Sequence, residues 1–271
     1  MTAPMLTSRA SAADRRSAST QTLHFTRGSA SSCSDCVACE SCVGARLTAL
    51  TDGQAVGLVR HNHTLGLREH LFREGDSPEA LYIVKSGAVK LYLSSEDGGE
   101  QVVAFYMPGE VLGLDALGMS AHRSSAIALE RASFCVIPLT SLERAPQCHR
   151  LLYQLLSREL VRDHHTIELI TKKDAEAKIA SFLVDLSRRF RARGYSASHF
   201  NLSMKRNEIG SYLGLAVETV SRILTRFQDE GLLRVQRRQV QIVNFGALEK
   251  LAGYQASPCE PEHRARAGAF S

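Results

Sequence analysis

From Arg150 to Lys173 the chain runs for 24 residues without a proline or a glycine. Within that run Tyr153, Leu156, Leu160, Asp163, Ile167 and Ile170 recur at steps of 3, 4, 3, 4 and 3. Sustained 3-4 alternation is the a/d seam of a helix that packs lengthwise on another. It predicts one long helix over residues 150–174, paired with its own copy or packed on its own domain. Asp163 is the one charged member of the seam. A helix of this length divides the chain, because the patterns on its two sides differ in period.

Before the helix the signal is short strands. Leu81–Lys85 and Ala88–Leu93 flank Ser86-Gly87, a two-residue hairpin signal, and Gln101–Tyr106 follows the Glu96-Asp97-Gly98-Gly99 turn. Gly75, Gly109, Gly113 and Gly118 punctuate the rest, so this half reads as an all-β sandwich or barrel. After the helix, Ala177–Arg191 is amphipathic, with Ile179, Phe182, Leu183, Leu186 and Phe190 on one face, and Gly194 stops it.

Arg206–Phe227 then carries a helix-turn-helix pattern. Ile209 and Leu213 form the inner face of a short helix, Gly214 supplies the turn, and Val220, Ile223 and Leu224 form the inner face of the next. Gly210 sits where the two helices would approach closely. The second helix begins near Ala216 or Val217 and turns Glu218, Ser221 and Arg222 outward, with Thr219 and Arg226 beside them. Side chains of this kind at the start of a recognition helix suit major-groove reading: Arg222 can fork onto guanine O6 and N7, and Glu218 can accept from a cytosine amino group. A solvated charged face is the bland alternative. Leu232–Val235 and Val240–Val243 bracket Gln236-Arg237-Arg238-Gln239, a hairpin whose two arginines would meet phosphate.

Net charge is only +5, so a nucleic-acid face has to be local. Between Met204 and Lys250 there are eight Lys and Arg against five Asp and Glu. No stretch approaches the roughly 18–20 uncharged apolar residues of a membrane helix. The first 32 residues have no apolar core of a secretory signal, which points to a cytoplasmic protein. There are seven cysteines, of which Cys33, Cys36, Cys39 and Cys42 fall at a spacing of three residues. In a reducing compartment such a group reads as metal ligands rather than as a disulfide framework.

Taken together, these stretches resemble the Crp/Fnr superfamily of bacterial transcription regulators, and within it the oxygen-sensing FNR branch. The resemblance rests on Leu81–Gly87 with Gly109–Gly113, Leu186–Phe190 and Asn207–Phe227, above all on Val217-Glu218-Thr219-Val220-Ser221-Arg222. It implies an α+β fold: a cyclic-nucleotide-binding-like β-roll over 46–149, a dimerisation helix over 150–174 and a winged helix-turn-helix domain over 175–253. Around these lie a disordered tail over 1–32, a cysteine-rich loop over 33–45 and a second disordered tail over 254–271. It also implies a homodimer that reads a TTGAT-type half-site of double-stranded DNA through Glu218, Ser221 and Arg222, and that contacts RNA polymerase.

The same resemblance implies a [4Fe-4S] cluster held by three N-terminal cysteines spaced C-x2-C-x5-C and one distant cysteine. Cys33, Cys36 and Cys42 match that spacing, and Cys135 is the expected distant ligand. Cys39 departs from the pattern, so the four N-terminal thiols form a competing set, and a structural zinc is a further alternative. Cys148 and Cys259 are left without a role. A cluster on a short surface loop can be reached by oxygen, and its loss would alter packing against the dimer helix, so that oxygen is read as a monomer–dimer balance. One rival reading is a cyclic-nucleotide-responsive regulator, from Gly109-Glu110 with Arg123 and Ser124. An enzyme is not expected, since the chain has neither a dinucleotide fingerprint nor a nucleophile–base pair at a familiar spacing.

Overall fold

The computed structural model describes residues 42–44, 46, 59–95, 98–143 and 148–254. The first expected tail, residues 255–271 of the second, and Cys33, Cys36, Cys39 and Cys259 lie outside the described residues, whereas Tyr254, assigned to the second tail, packs under Arg188, whose guanidinium lies 4.2 Å from its ring centre. Strands β1 (Arg60–Leu65), β2 (His70–Phe72), β3 (Ala80–Ser86), β4 (Val89–Ser94), β5 (Glu100–Tyr106), β6 (Val111–Leu112), β7 (Ser125–Ala128) and β8 (Ala132–Pro138) build the first domain. They form two antiparallel four-stranded sheets, in the orders β1-β8-β3-β6 and β2-β7-β4-β5.

Period-2 alternation explains how this β-roll is filled. In β3 and β8, Tyr82, Val84, Phe134 and Val136 point between the sheets, where they meet Val89, Leu91 and Ala126. The alternate residues Leu81, Ile83, Cys135 and Ile137 face the other way into a second apolar cluster. β3 is therefore buried along most of its length, which suits a strand laddered on both edges, with β8 and β6. That pairing corrects the hairpin expected at Ser86-Gly87. β3 and β4 belong to different sheets, and the dipeptide carries the chain from one sheet to the other. A local turn signal cannot distinguish the two cases. Gly87 is needed there for its φ of +81° and because a Cβ would lie 2.6 Å from the Arg131 carbonyl oxygen.

After the short helix α1 (Leu139–Glu143) comes α2 (His149–Thr171), the long helix expected from the seam. Leu151, Leu155 and Leu169 are buried against the rest of the chain. The seam itself looks outward: Tyr153, Leu160 and Ile167 are 68%, 59% and 55% exposed, Ile170 and Asp163 are also exposed, and Leu156 is half-buried. The helix thus has two apolar faces, one used within the chain and one left open.

The C-terminal domain consists of α3 (Ala175–Arg191), β9 (His199–Asn201), α4 (Arg206–Leu213), α5 (Val217–Asp229), β10 (Leu233–Gln236), β11 (Gln239–Ile242) and α6 (Phe245–Leu251). Asp174 caps α3 by accepting from the Glu176 amide at 3.1 Å. The core joins Ile179, Phe182, Leu183 and Leu186 of α3 to Ile209, Leu213, Val220, Leu224 and Phe227 of the helix pair. Ala88, Val102, Phe105 and Met107 from the outer face of the second β-roll sheet join the same cluster, so the two domains share one apolar interface.

Candidate functional site

α4 and α5 meet around Gly214, whose φ of +65° closes the turn. A Cβ on Gly210 would come 2.5 Å from the Leu215 carbonyl oxygen, so the close approach expected at Gly210 is to the turn's backbone. α5 buries Val220, Ile223, Leu224 and Phe227. Glu218, Ser221 and Arg222 are exposed on the opposite side, and neither Glu218 nor Arg222 has an ion-pair partner among the described residues. Thr219 is half-buried rather than fully outward. Arg226 is engaged within the chain, with Glu230 at 2.8 Å and with Glu176.

The wing is a three-stranded sheet in the order β10-β11-β9. Gln236 pairs with Gln239, which leaves Arg237-Arg238 as a two-residue tip. Arg237 takes a φ of +56°, and both side chains are exposed. The tip and the first turns of α5 thus present cations and hydrogen-bonding groups to solvent, with no apolar cover among the described residues.

Of the expected thiol ligands, Cys42 and Cys135 are described, and both are buried in the cluster on the outer face of the first sheet. Cys135 lies opposite Ile83 in the β3–β8 ladder. A Cβ on Gly44 would be 3.2 Å from Ile83 Cδ1 and 3.6 Å from Cys42 Sγ. Ile83 therefore stands beside Cys135, and the backbone at Gly44 lies between Ile83 and the Cys42 thiol. Cys148, to which the sequence assigned no role, belongs to the same cluster; it is fully buried at the start of α2, and burial pushes its thiol pKa up. The turn holding Cys42 is tied to α2 as well, since Arg46 Nη2 donates to Gln154 Oε1 at 3.0 Å. Among the described residues no three His, Cys, Asp or Glu side chains gather as a metal site. The donors still suit a thiolate-bound centre: two buried thiols share one wall, and Cys33, Cys36 and Cys39 precede Cys42 closely in the chain.

The residues of the rival nucleotide reading do not converge. Arg123 is exposed, whereas the buried Ser124 hydroxyl donates to Asp115 Oδ2 at 3.1 Å. His122 is buried beside them and stacks on Phe72 with ring centroids 3.8 Å apart. The Ser124 hydroxyl is thus engaged by an acid, and His122, close by in the chain, is stacked on Phe72.

Sequence reasoning missed the polar joints between the domains. Glu110, in the turn after β5, receives Arg189 Nη2 at 2.7 Å and Arg193 Nη2 at 2.5 Å. Burial alone would raise the Glu110 pKa, but the two guanidiniums overcome it and hold the carboxyl below its ordinary range. Ser211 of α4 accepts from the Val102 amide and donates to the Glu100 carbonyl, each at 2.9 Å. Nearby, Lys90 lies 3.5 Å from the buried Glu208 of α4. The placing of Arg189 and Arg193 four residues apart, at and just past the end of an amphipathic helix, was the available signal.

These two domains, a β-roll and a winged helix-turn-helix joined by a long helix, define a DNA-binding transcription regulator. Residues 63–147 match the cyclic nucleotide-binding domain family and residues 177–251 the Crp-like helix-turn-helix domain family. The chain is 44% identical over 226 residues to the transcriptional activator protein Anr of Pseudomonas protegens, covering 82% of this chain and 92% of that one. It is 38% identical over 231 residues to the fumarate and nitrate reduction regulatory protein of Escherichia coli, covering 84% and 92%. Among solved structures, FixK2 from Bradyrhizobium japonicum superposes with a TM-score of 0.65 at 33% identity, over 70% of this chain and 96% of that one. The protein belongs to the Crp/Fnr family of transcription regulators. No helix among the described residues is long and apolar enough to cross a membrane.

Proposed function

We propose that this protein is an oxygen-responsive transcription factor of the FNR type, which binds a [4Fe-4S] cluster, dimerises along α2 and regulates genes of anaerobic metabolism from TTGAT-type palindromes. The observation that carries this reading is the burial of Cys42 and Cys135 in one apolar cluster with the base of α2. Cys33 and Cys36 complete the ligand set. A thiolate-bound cluster supplies an oxygen-labile link between the cysteine run and β8. This chain's own residues would carry its state onward: Arg46 ties the Cys42 turn to Gln154 of α2, next to the exposed Tyr153 of the seam. The names of the relatives, an activator and a regulator of fumarate and nitrate reduction, support the anaerobic role.

On DNA, Glu218, Ser221 and Arg222 read bases, Thr219 stands beside them, and Arg237 and Arg238 hold phosphate. Tyr153, Leu156, Leu160, Asp163, Ile167 and Ile170 form the dimer contact, and RNA polymerase is the further partner of a cytoplasmic activator. Purification under nitrogen, with an absorbance spectrum and counts of iron, sulfide and zinc, tests the reading. Iron and sulfide in equal amounts near four per chain are expected for a [4Fe-4S] centre. One zinc and no sulfide would replace it with a structural metal site.

A further inference from the structure

The winged-helix domain is joined to α2 by the covalent linker Lys172–Asp174 and by direct contacts, Thr166 Oγ1 with the Tyr212 hydroxyl at 3.2 Å and His165 Nε2 with Asp185 Oδ1 at 3.7 Å. A further route runs through β5 and the turn that follows it. On the α2 side, Tyr106 donates its hydroxyl to Glu159 Oε1 at 2.8 Å, and the Arg162 guanidinium lies 4.2 Å from the Tyr106 ring centre. On the α3 side, the same segment offers Glu110 to Arg189 and Arg193, while the Phe105 carbonyl accepts from Arg189 Nη2 at 2.6 Å. The segment is itself held in place, since the Glu110 carboxylate accepts from the Met107 amide at 2.8 Å and the Gly109 amide donates to the Val84 carbonyl at 2.8 Å. Upstream on β5, Ser211 locks α4 to the strand. β5 and its turn therefore touch the dimer helix on one side and both α3 and α4 on the other.

We propose that Glu110 is a positioning residue for DNA binding: by gripping Arg189 and Arg193 it fixes the angle between α2 and the winged-helix domain, and so the separation of the two recognition helices in a dimer. Two half-sites are read together only when that separation matches about one turn of the duplex, roughly 34 Å. The carboxylate suits the task because it is largely shielded from solvent and its two partners come from the last turn of α3, Arg189, and the turn just after it, Arg193. Without its charge, Arg193 loses its counter-ion, Arg189 keeps only Asp185 at 3.4 Å, and the joint loosens. The inference rests on the dimeric, two-half-site reading above.

The test uses the full-length protein purified under nitrogen and duplexes carrying two TTGAT-type half-sites at a series of spacings. Glu110→Gln is expected to lower affinity for the best-spaced duplex about tenfold. It should also flatten the spacing profile, so that moving one half-site by a base pair costs less than in the wild type, while sedimentation gives the wild-type dimer constant. Ser211→Ala should flatten the profile in the same direction by less. If Glu110→Gln does not fold, Ser211→Ala and Arg193→Lys are read by the same profile. An unchanged profile, or equal losses at every spacing and on a single half-site, would overturn the inference, because loss of folded protein moves all affinities together. A wild type that binds one half-site as tightly as two would instead overturn the dimer reading, and the inference with it.

Discussion

Ile83 faces Cys135 across the β3–β8 ladder, and the backbone at Gly44 approaches that same Ile83 from the Cys42 side. Cys42, from the N-terminal spacing, and Cys135, the distant ligand implied by the resemblance, thus lie on the two sides of Ile83 although far apart in the chain. Cys148 is close by in the cluster but at the start of a helix, among Leu142, Leu151 and Leu155.

The proposed ligand set is tested one cysteine at a time. Replacing Cys33, Cys36, Cys42 or Cys135 by Ala is expected to abolish iron incorporation. Cys39→Ala, Cys148→Ala and Cys259→Ala should retain it, Cys148→Ala at some cost in stability because it opens a small space in a packed core. Iron and sulfide counts on the anaerobic proteins decide the matter. A full complement in Cys135→Ala with none in Cys39→Ala would move the site to the four N-terminal thiols.

Gly210 is the position where the reading head tolerates least. A Cβ there meets the Leu215 carbonyl oxygen at 2.5 Å, a backbone atom that cannot swing aside. Gly210→Ala should therefore part α4 from the start of α5, lowering the melting temperature and weakening DNA binding by about 1–3 kcal/mol. Wild-type melting and binding would mean that the turn is more compliant than its geometry indicates.

Base reading and phosphate holding should part company in a pair of titrations. Arg222→Ala is expected to cost about 1–3 kcal/mol on a TTGAT-type duplex and little on random DNA. Arg237→Ala or Arg238→Ala should weaken both duplexes alike and shallow the salt dependence, as loss of a phosphate contact does. Equal losses on both DNAs for Arg222→Ala would take away its role as a base reader.

Much of this site was legible because it depends on period and spacing. The 3-4 seam, the inner faces of α4 and α5, and the two-arginine wing tip all follow from local pattern, and each lies where the pattern puts it. What stayed hidden depends on long-range pairing. Ser86-Gly87 reads as a hairpin until β3 is seen to ladder with β8. Glu110 reads as an ordinary turn residue until α3 brings Arg189 and Arg193 to it across a sequence gap of some eighty residues. Arg162 reads as a surface charge flanking the seam until Tyr106 and Glu159 turn it inward.

The inward turn of Arg162 sharpens what Asp163 does. The seam residues Tyr153, Leu160 and Ile167 are exposed in the single chain, and Asp163 is exposed with them. A two-fold helix pair would set the two Asp163 carboxylates near each other. Arg162 is the adjacent cation, but it is held by Glu159 and by the Tyr106 ring. Arg158 lines the cavity beside Val43, Glu110 and Arg193. Neither is therefore placed to neutralise the pair, and two like charges about 4 Å apart repel by about 1 kcal/mol even in water. A purely structural coiled coil gains nothing from this, whereas a switch gains a threshold: the seam closes only when contacts elsewhere outweigh the repulsion. Asp163→Ala should tighten dimerisation in air roughly fivefold, as removal of about 1 kcal/mol implies. DNA binding in air should rise with it, partly uncoupling the protein from oxygen. Sedimentation of the aerobic wild type and variant is the measurement, and identical monomer–dimer constants would remove Asp163 from the mechanism.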